Sequence, residues 1–316
     1  LDGDESIRKR PMNRIIEPLT LMGAKITSQE GGLAPLKIKG SDLKGIEYTM
    51  PVASAQVKSS IILAGLNAQT PTTIFEPVKT RNHTELMLTA QSAEVKIRKN
   101  KIAVSKSSLK SVDVYVPGDI SSASYLMVLA TVLKGSGIVL KNVGVNPTRT
   151  GIIDIIKFCG GKITTLNRRR TGEEPVADML IQSADNLKPF VIGGDMIPRL
   201  IDEIPILAVL ACFAEGTSVI KDAKELKIKE SNRIDSTVNM LKSMGARVEA
   251  TEDGMVIYGT GVIMGGKEID AGLDHRLAMS AAIAGAVSLD GVKIKNAQIA
   301  DVSYPDFYKI FERGEY

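Results

Sequence analysis

Four stretches of the chain share one hydrophobic pattern: "MNRIIEPLTLMGAKI" (12–26), "TELMLTAQSAEV" (84–95), "GIIDIIKFCGGKI" (151–163) and "RIDSTVNMLKSMGARV" (233–248). In each, apolar residues return at three- and four-residue spacing, which predicts a helix with one buried and one solvated face. Each run ends in a small residue (Gly23, Ser92, Gly160 or Gly245) and then meets a strand candidate. Glycine suits the left-handed cap expected there; Ser92 departs from it.

A second pattern lies between these: "SAQVKSSIILAGLNAQTPTTI" (54–74), "SASYLMVLATVLKGSGIVL" (122–140), "IDEIPILAVLACFAEGTSVI" (201–220) and "HRLAMSAAIAGAVSLDGVKI" (275–294). These runs are Ala-rich and apolar nearly all round, so their helices must be buried on every side. Like helices recur at similar intervals, so each repeat holds two helices and several strands. Alternation predicts a strand with Val112, Val114 and Val116 on one face, and a weaker one over Arg247–Ala250. The whole reads as an α/β repeat of inner buried helices and outer amphipathic ones against sheets. Pro117-Gly118, in "YVPGD", marks the clearest boundary, giving domains of residues 1–117 and 118–316. "NRRRTGEEP" (167–175) reads as an exposed hairpin loop with solvated arginines.

Composition narrows the class. Of 316 residues, 44% are hydrophobic but only 4% aromatic, with no Trp, so the cores must be aliphatic. The net charge of +4 suits small anions, and no aromatic-interleaved basic stripe argues for nucleic acid. Cys159 and Cys212 fall in apolar helical runs and suggest neither a metal site nor a disulfide. No apolar run has transmembrane length and no signal peptide opens the chain, so a cytoplasmic location is expected. "LDGDES" reads like the middle of a longer protein.

The candidate chemistry sits at helix starts. In "KIKESNR" (227–233), Ser231 and Asn232 are natural N-caps, yet Lys227, Lys229 and Arg233 crowd an end that the macrodipole already makes positive. The same mismatch recurs. Arg10 precedes Pro11 before the first amphipathic run, and Arg276 follows Asp274, a candidate cap, at the start of a buried helix. Three arginines opposed to three helix dipoles point to a shared anion, since the guanidinium fork grips phosphate and carboxylate bidentately. Ser54 and Asp202 open two further helices, where plain capping competes with function. Partial burial beside its apolar helix would raise the pKa of Asp202 toward a base's range.

At this point the chain resembles the 5-enolpyruvylshikimate-3-phosphate synthase family. The blocks "GDESIRKRPM", "PVASAQVKSSIILAGL", "TRNHTELML", "VPGDISSASY", "NPTRTG", "DEIPILAVLA", "KIKESNR", "DHRLAMS" and "SYPDF" stand in that family's order along essentially the whole length. The resemblance implies the enolpyruvyl transferase fold, an inside-out α/β barrel of two domains built from βαβαββ repeats. The first domain would be incomplete and the second would hold three repeats. It implies transfer of the enolpyruvyl group of phosphoenolpyruvate to the 5-hydroxyl of shikimate 3-phosphate, with no metal or organic cofactor and with a monomer as the complete form. Arg10, Arg233 and Arg276 would clamp phosphoenolpyruvate, and Gln56 would reach both substrates. Ser54, the backbone of Ala55, and Arg81 would cradle the 3-phosphate, with Lys229 also on that substrate. Asp202 would be the base and Glu230 a proton shuttle.

Departures accompany the resemblance. The family's N-terminal Lys-Ser…Arg motif and its Gly-Asn-Ser/Ala-Gly-Thr loop have no counterpart in the chain, so it is expected to be inactive alone. Val302 stands where some members carry a lysine. UDP-N-acetylglucosamine enolpyruvyl transferase is the nearest rival, but its reactive cysteine is absent from Asp4–Lys9. A non-catalytic anion-binding fragment is the alternative of another class, opposed by the presence of both Asp202 and Glu230.

Overall fold

The computed structural model describes residues 1–312, without the side chain of Ser6. It forms two compact units: Leu1–Val116 with Arg170–Glu174, and Pro117–Arg169 with Pro175–Tyr316.

The first unit contains α1 (Glu5–Arg8), α2 (Asn13–Leu21), β1 (Lys25–Gln29), β2 (Leu33–Lys39), β3 (Glu47–Thr49), α3 (Ala55–Gly65), β4 (Thr72–Phe75), α4 (His83–Ala90), β5 (Val95–Arg98) and β6 (Lys101–Val104). β1 and β2 form an antiparallel hairpin. β3 to β6 form a sheet in the order β3-β4-β6-β5, with β3 and β4 parallel and the other pairs antiparallel. A helix crosses between the parallel strands and a second precedes the closing hairpin. That is one βαβαββ repeat.

The second unit begins with α5 (Ile120–Val132), β7 (Gly137–Gly144), α6 (Gly151–Phe158), β8 (Lys162–Thr171) and β9 (Glu174–Gln182). There follow β10 (Val191–Ile192), α7 (Ile197–Leu200), α8 (Ile204–Phe213), β11 (Gly216–Ile220), α9 (Arg233–Ser243), β12 (Arg247–Ala250) and β13 (Met255–Gly259). The described part closes with β14 (Lys267–Asp270), α10 (His275–Ala286), β15 (Val292–Lys295) and two short helical turns. The order β10-β11-β13-β12, parallel then antiparallel, repeats the topology of the first unit. Strands β7 to β9 do so as well, in the order β7-β9-β8, with the opening strand reduced to a parallel bridge between Gly118 and Val143. β14, α10 and β15 supply the opening βαβ of the same pattern.

In the second unit the two helix types separate as their patterns require. In the first unit α3 leaves Gln56 and Leu63 exposed, so burial on every side does not hold for it. α5, α8 and α10 pack on one another, and nine of the ten residues of α8 are buried. A glycine lets β13 approach the end of α8: a Cβ on Gly259 would collide with the carbonyl oxygens of Ala211 and Ala214. The amphipathic helices α2, α4, α6 and α9 all end alike. Gly23, Ser92, Gly160 and Gly245 take φ of +98°, +64°, +101° and +85°. In each case the next N–H returns to a carbonyl five residues back: Ala24 to Leu19, Ala93 to Leu88, Gly161 to Ile156 and Ala246 to Leu241. This closes the last turn and satisfies a carbonyl that would otherwise lack a partner.

Two expectations need correction. Val112, Val114 and Val116 form no strand. The segment 105–117 has no ladder partner, and these valines are exposed, because alternation specifies a face only where a neighbouring strand takes the backbone hydrogen bonds. The arginines of 168–170 lie on β8, within a β8–β9 hairpin that turns at Gly172, and not in a loop. Arg247–Ala250 forms β12 as the alternation predicts. No helix among the described residues is long and apolar enough to cross a membrane.

Ser92 holds the left-handed conformation with a Cβ that glycine would not carry. Ser92→Gly should therefore raise stability by about 0.5–1 kcal/mol, read as a higher urea midpoint at unchanged slope. An unchanged or lower midpoint would show that the cap is unstrained.

Candidate active site

Asn232 caps α9 through its side chain, which accepts from the N–H of Asp235 at 3.4 Å. Arg233 follows as the first helical residue, so the wrong-end cation is real. Part of its charge is answered from within the protein. Arg233 is buried, and its Nε and Nη2 donate to the two oxygens of Asp274 at 2.9 and 3.2 Å. Nη2 also donates to Glu230 at 2.5 Å, and Nη1 lies 3.7 Å from Asp202.

Asp274 is itself the N-cap of α10, accepting from the N–H groups of Arg276 and Leu277 at 3.0 and 3.4 Å, while Ser231 donates its hydroxyl at 2.8 Å. Burial alone would raise the pKa of this fully buried carboxyl. The charge of Arg233 and the hydrogen bonds from Arg233, Ser231 and the Arg276 N–H outweigh it and hold Asp274 below the usual carboxylate range. The starts of α9 and α10 are thus tied by one carboxylate.

The start of α8 joins the same cluster. Asp202 lies in the short 3-10 turn Ile201–Glu203, and Glu203 occupies the cap position without a side-chain cap bond. The capping reading of Asp202 is therefore set aside. Its carboxylate stands 3.7 Å from Lys229 Nζ, and its carbonyl accepts from Arg276 Nη1 at 3.1 Å. Asp202 is partly buried beside its apolar helix, as expected, and its neighbour is buried more deeply. Glu203 is buried, and burial pushes its pKa up, against the pull of Arg149. Ser121 donates to Glu203 and accepts from Arg149 Nη2 at 2.5 Å, which lies 3.6 Å from both Asp119 and Glu203.

Five of the predicted residues, Asp202, Lys229, Glu230, Arg233 and Arg276, come together within the second unit. The others lie in the first. Ser54 caps α3, accepting from the Val57 N–H at 3.4 Å; Ala55 is the first helical residue and Gln56 is exposed. Arg81 is half-buried two residues before α4. Arg10 lies in the turn between α1 and α2. The expectation that Pro11 opens the first turn is corrected, because α2 begins at Asn13, after Met12 has donated its N–H to the Gly32 carbonyl.

Sequence reasoning missed Ser121, Arg149 and Glu203, and also Lys58, Glu76, Thr80 and Glu85 in the first unit. For Lys58 a signal existed: a lysine in a helix that is apolar all round must find a buried partner. Cys159 and Cys212 are free and buried, and burial pushes their thiols up to about 11 and about 12, which removes them as nucleophiles at neutral pH. Among the described residues no group of His, Cys, Asp and Glu could hold a metal ion.

Asp274 also sets an expectation for acid. Its folded pKa is lowered, so the stability it contributes is present above the unfolded value of about 4 and is lost as pH falls through the folded value. Asp274→Asn leaves Arg233 without its buried partner, and should cost about 3–5 kcal/mol at pH 7 and markedly less near pH 3. Urea unfolding at both pH values checks this; an equal loss at each would remove the charge from the explanation.

Comparison with known proteins places the chain. The model of the family described as EPSP synthase (3-phosphoshikimate 1-carboxyvinyltransferase) matches residues 1–311. The 3-phosphoshikimate 1-carboxyvinyltransferase of Thermoanaerobacter sp. (strain X514) is 54% identical over 313 residues, covering 99% of this chain and 74% of that protein. The Bacillus subtilis (strain 168) protein of the same name is 48% identical over 309 residues, covering 97% and 72%. A solved structure of EPSP synthase from Acinetobacter baumannii superposes with a TM-score of 0.86 at 44% identity, covering 98% of this chain and 72% of that one. With a family match along nearly its whole length and close relatives of one name, the chain belongs to the EPSP synthase family.

Proposed function

We propose a division of labour among these residues for the reaction that gives the family its name, 3-phosphoshikimate 1-carboxyvinyl transfer. The observation that carries it is the buried Arg233–Asp274 pair, which gathers Asp202, Lys229, Glu230 and Arg276 at the starts of three helices.

Asp202 accepts the proton of the 5-hydroxyl of shikimate 3-phosphate. The freed oxygen attacks C2 of phosphoenolpyruvate while C3 gains a proton, and the tetrahedral intermediate then loses phosphate from C2 and a proton from C3 as the double bond forms again. Glu230, partly exposed and held by Arg233, is the candidate for moving the proton at C3. Lys229 sits beside Asp202, where it contacts the sugar phosphate substrate. Arg10, Arg233 and Arg276 are assigned to phosphoenolpyruvate, with Arg233 held rigidly by its carboxylates so that only Nη1 is left toward Asp202. Gln56 serves both substrates. Ser54, the backbone of Ala55, and Arg81 receive the 3-phosphate, where the N–H groups and dipole of α3 favour an anion.

Asp202→Asn should lower kcat roughly 10²–10⁴-fold with Kd for both substrates little changed, since the amide keeps the shape but cannot take the proton. Steady-state kinetics with calorimetry checks it, and near-normal turnover would reject the base. Arg81→Ala should raise KM for shikimate 3-phosphate about tenfold or more while leaving KM for phosphoenolpyruvate within about twofold. An equal effect on both would remove Arg81 from the 3-phosphate.

A further inference from the structure

The first unit holds three ionisable side chains that the reaction does not use. Lys58, on α3, is fully buried, with Nζ 3.0 Å from Glu76 Oε2 and 2.7 Å from Glu85 Oε1, two carboxylates that are themselves buried. Glu76 follows β4, and Glu85 lies in the first turn of α4. Burying such a cluster rarely gains stability over an apolar replacement of the same shape, so its worth lies in what it holds in place.

It holds two elements to one another. The N–H of Lys58 donates to the Ser54 carbonyl at 3.1 Å, so the lysine belongs to the turn that Ser54 caps. On the other side, Glu76 Oε2 accepts both donors of Thr80, the N–H at 3.0 Å and the hydroxyl at 2.6 Å. Thr80 is buried and immediately precedes Arg81. An unbroken chain of polar contacts therefore runs from the cap of α3 through Lys58 and Glu76 to the backbone beside Arg81. A second clip, the Ser59–Thr84 hydroxyl pair at 2.6 Å, joins α3 to α4 independently. A helix start and an arginine that are to share one phosphate need a fixed separation, and a loop alone would let it vary.

We propose that Lys58, Glu76, Glu85 and Thr80 are positioning residues that fix the α3 start against Arg81 and so set the affinity for the phosphate of the sugar substrate. The proposal rests on the reading of Ser54 and Arg81 as the 3-phosphate site.

The test uses Thr80→Val, which keeps the side-chain shape and removes only the hydroxyl bond to Glu76, with Thr80→Ser restoring it. In the intact enzyme, Thr80→Val should raise KM for shikimate 3-phosphate by about tenfold while KM for phosphoenolpyruvate and kcat stay within about twofold, and Thr80→Ser should return it toward wild type. Glu85→Gln, which weakens the hold on Lys58 without emptying the site, should act in the same direction and serves should Thr80→Val fail to fold. A lowered melting temperature with both KM values unchanged, or an equal rise in both, overturns the proposal. Arg81→Ala measured alongside separates the two layers. If it leaves KM for shikimate 3-phosphate unchanged, the phosphate assignment itself fails and the proposal falls with it; if it raises that KM while Thr80→Val and Glu85→Gln do not, only the positioning role is lost.

Discussion

The second unit turns on one buried carboxylate. Asp274 accepts the first N–H groups of α10 and grips the guanidinium that opens α9, so two positive helix ends and an arginine share a single anion. Without it, a buried cation would lie against a helix dipole of the same sign, a combination the interior tolerates only when paired. With it, the same charges become a rigid platform. Glu230 and Asp202 complete the surrounding of Arg233, and Arg276 reaches back to the carbonyl of Asp202.

That platform needs the starts of α8, α9 and α10 close together; α9 packs on α8 and α10, which with α5 form the buried layer. The helices of that layer are Ala-rich and lack a polar face, so burial on all sides is their only stable state. The repeated βαβαββ topology then delivers helix starts in equivalent places, each with N–H groups to offer an anion.

Both units solve a similar problem with different residues. In the second, Glu203 takes Ser121 and lies close to Arg149 next to Asp202; in the first, Lys58 takes Glu76 and Glu85 beneath the cap of α3. Each cluster is buried, each lies within a few residues of a helix start assigned to substrate, and each ties elements distant in sequence.

Periodicity along the chain determined the helix types, their caps and the repeat, because a 3.6-residue stripe and an all-apolar run have only one way each to meet water. Gly23, Gly160 and Gly245 were legible as left-handed caps, and Ser92 adopts the same conformation because the returning hydrogen bond from Ala93 decides it. Arg233 and Arg276 were legible as cations opposed to helix dipoles, whereas Arg10 lies in a turn ahead of α2. What answers Arg233 was not legible, since Asp274 lies 41 residues away and reads locally as a cap alone. The valines of 112–116 failed for the same reason in reverse: their alternation is a local property, and no strand lies alongside to use it. Sequence determines what each segment can do with its own neighbours in the chain. Which charge faces which, and whether a strand finds a partner, depends on contacts between distant segments, and only the tertiary structure decides those.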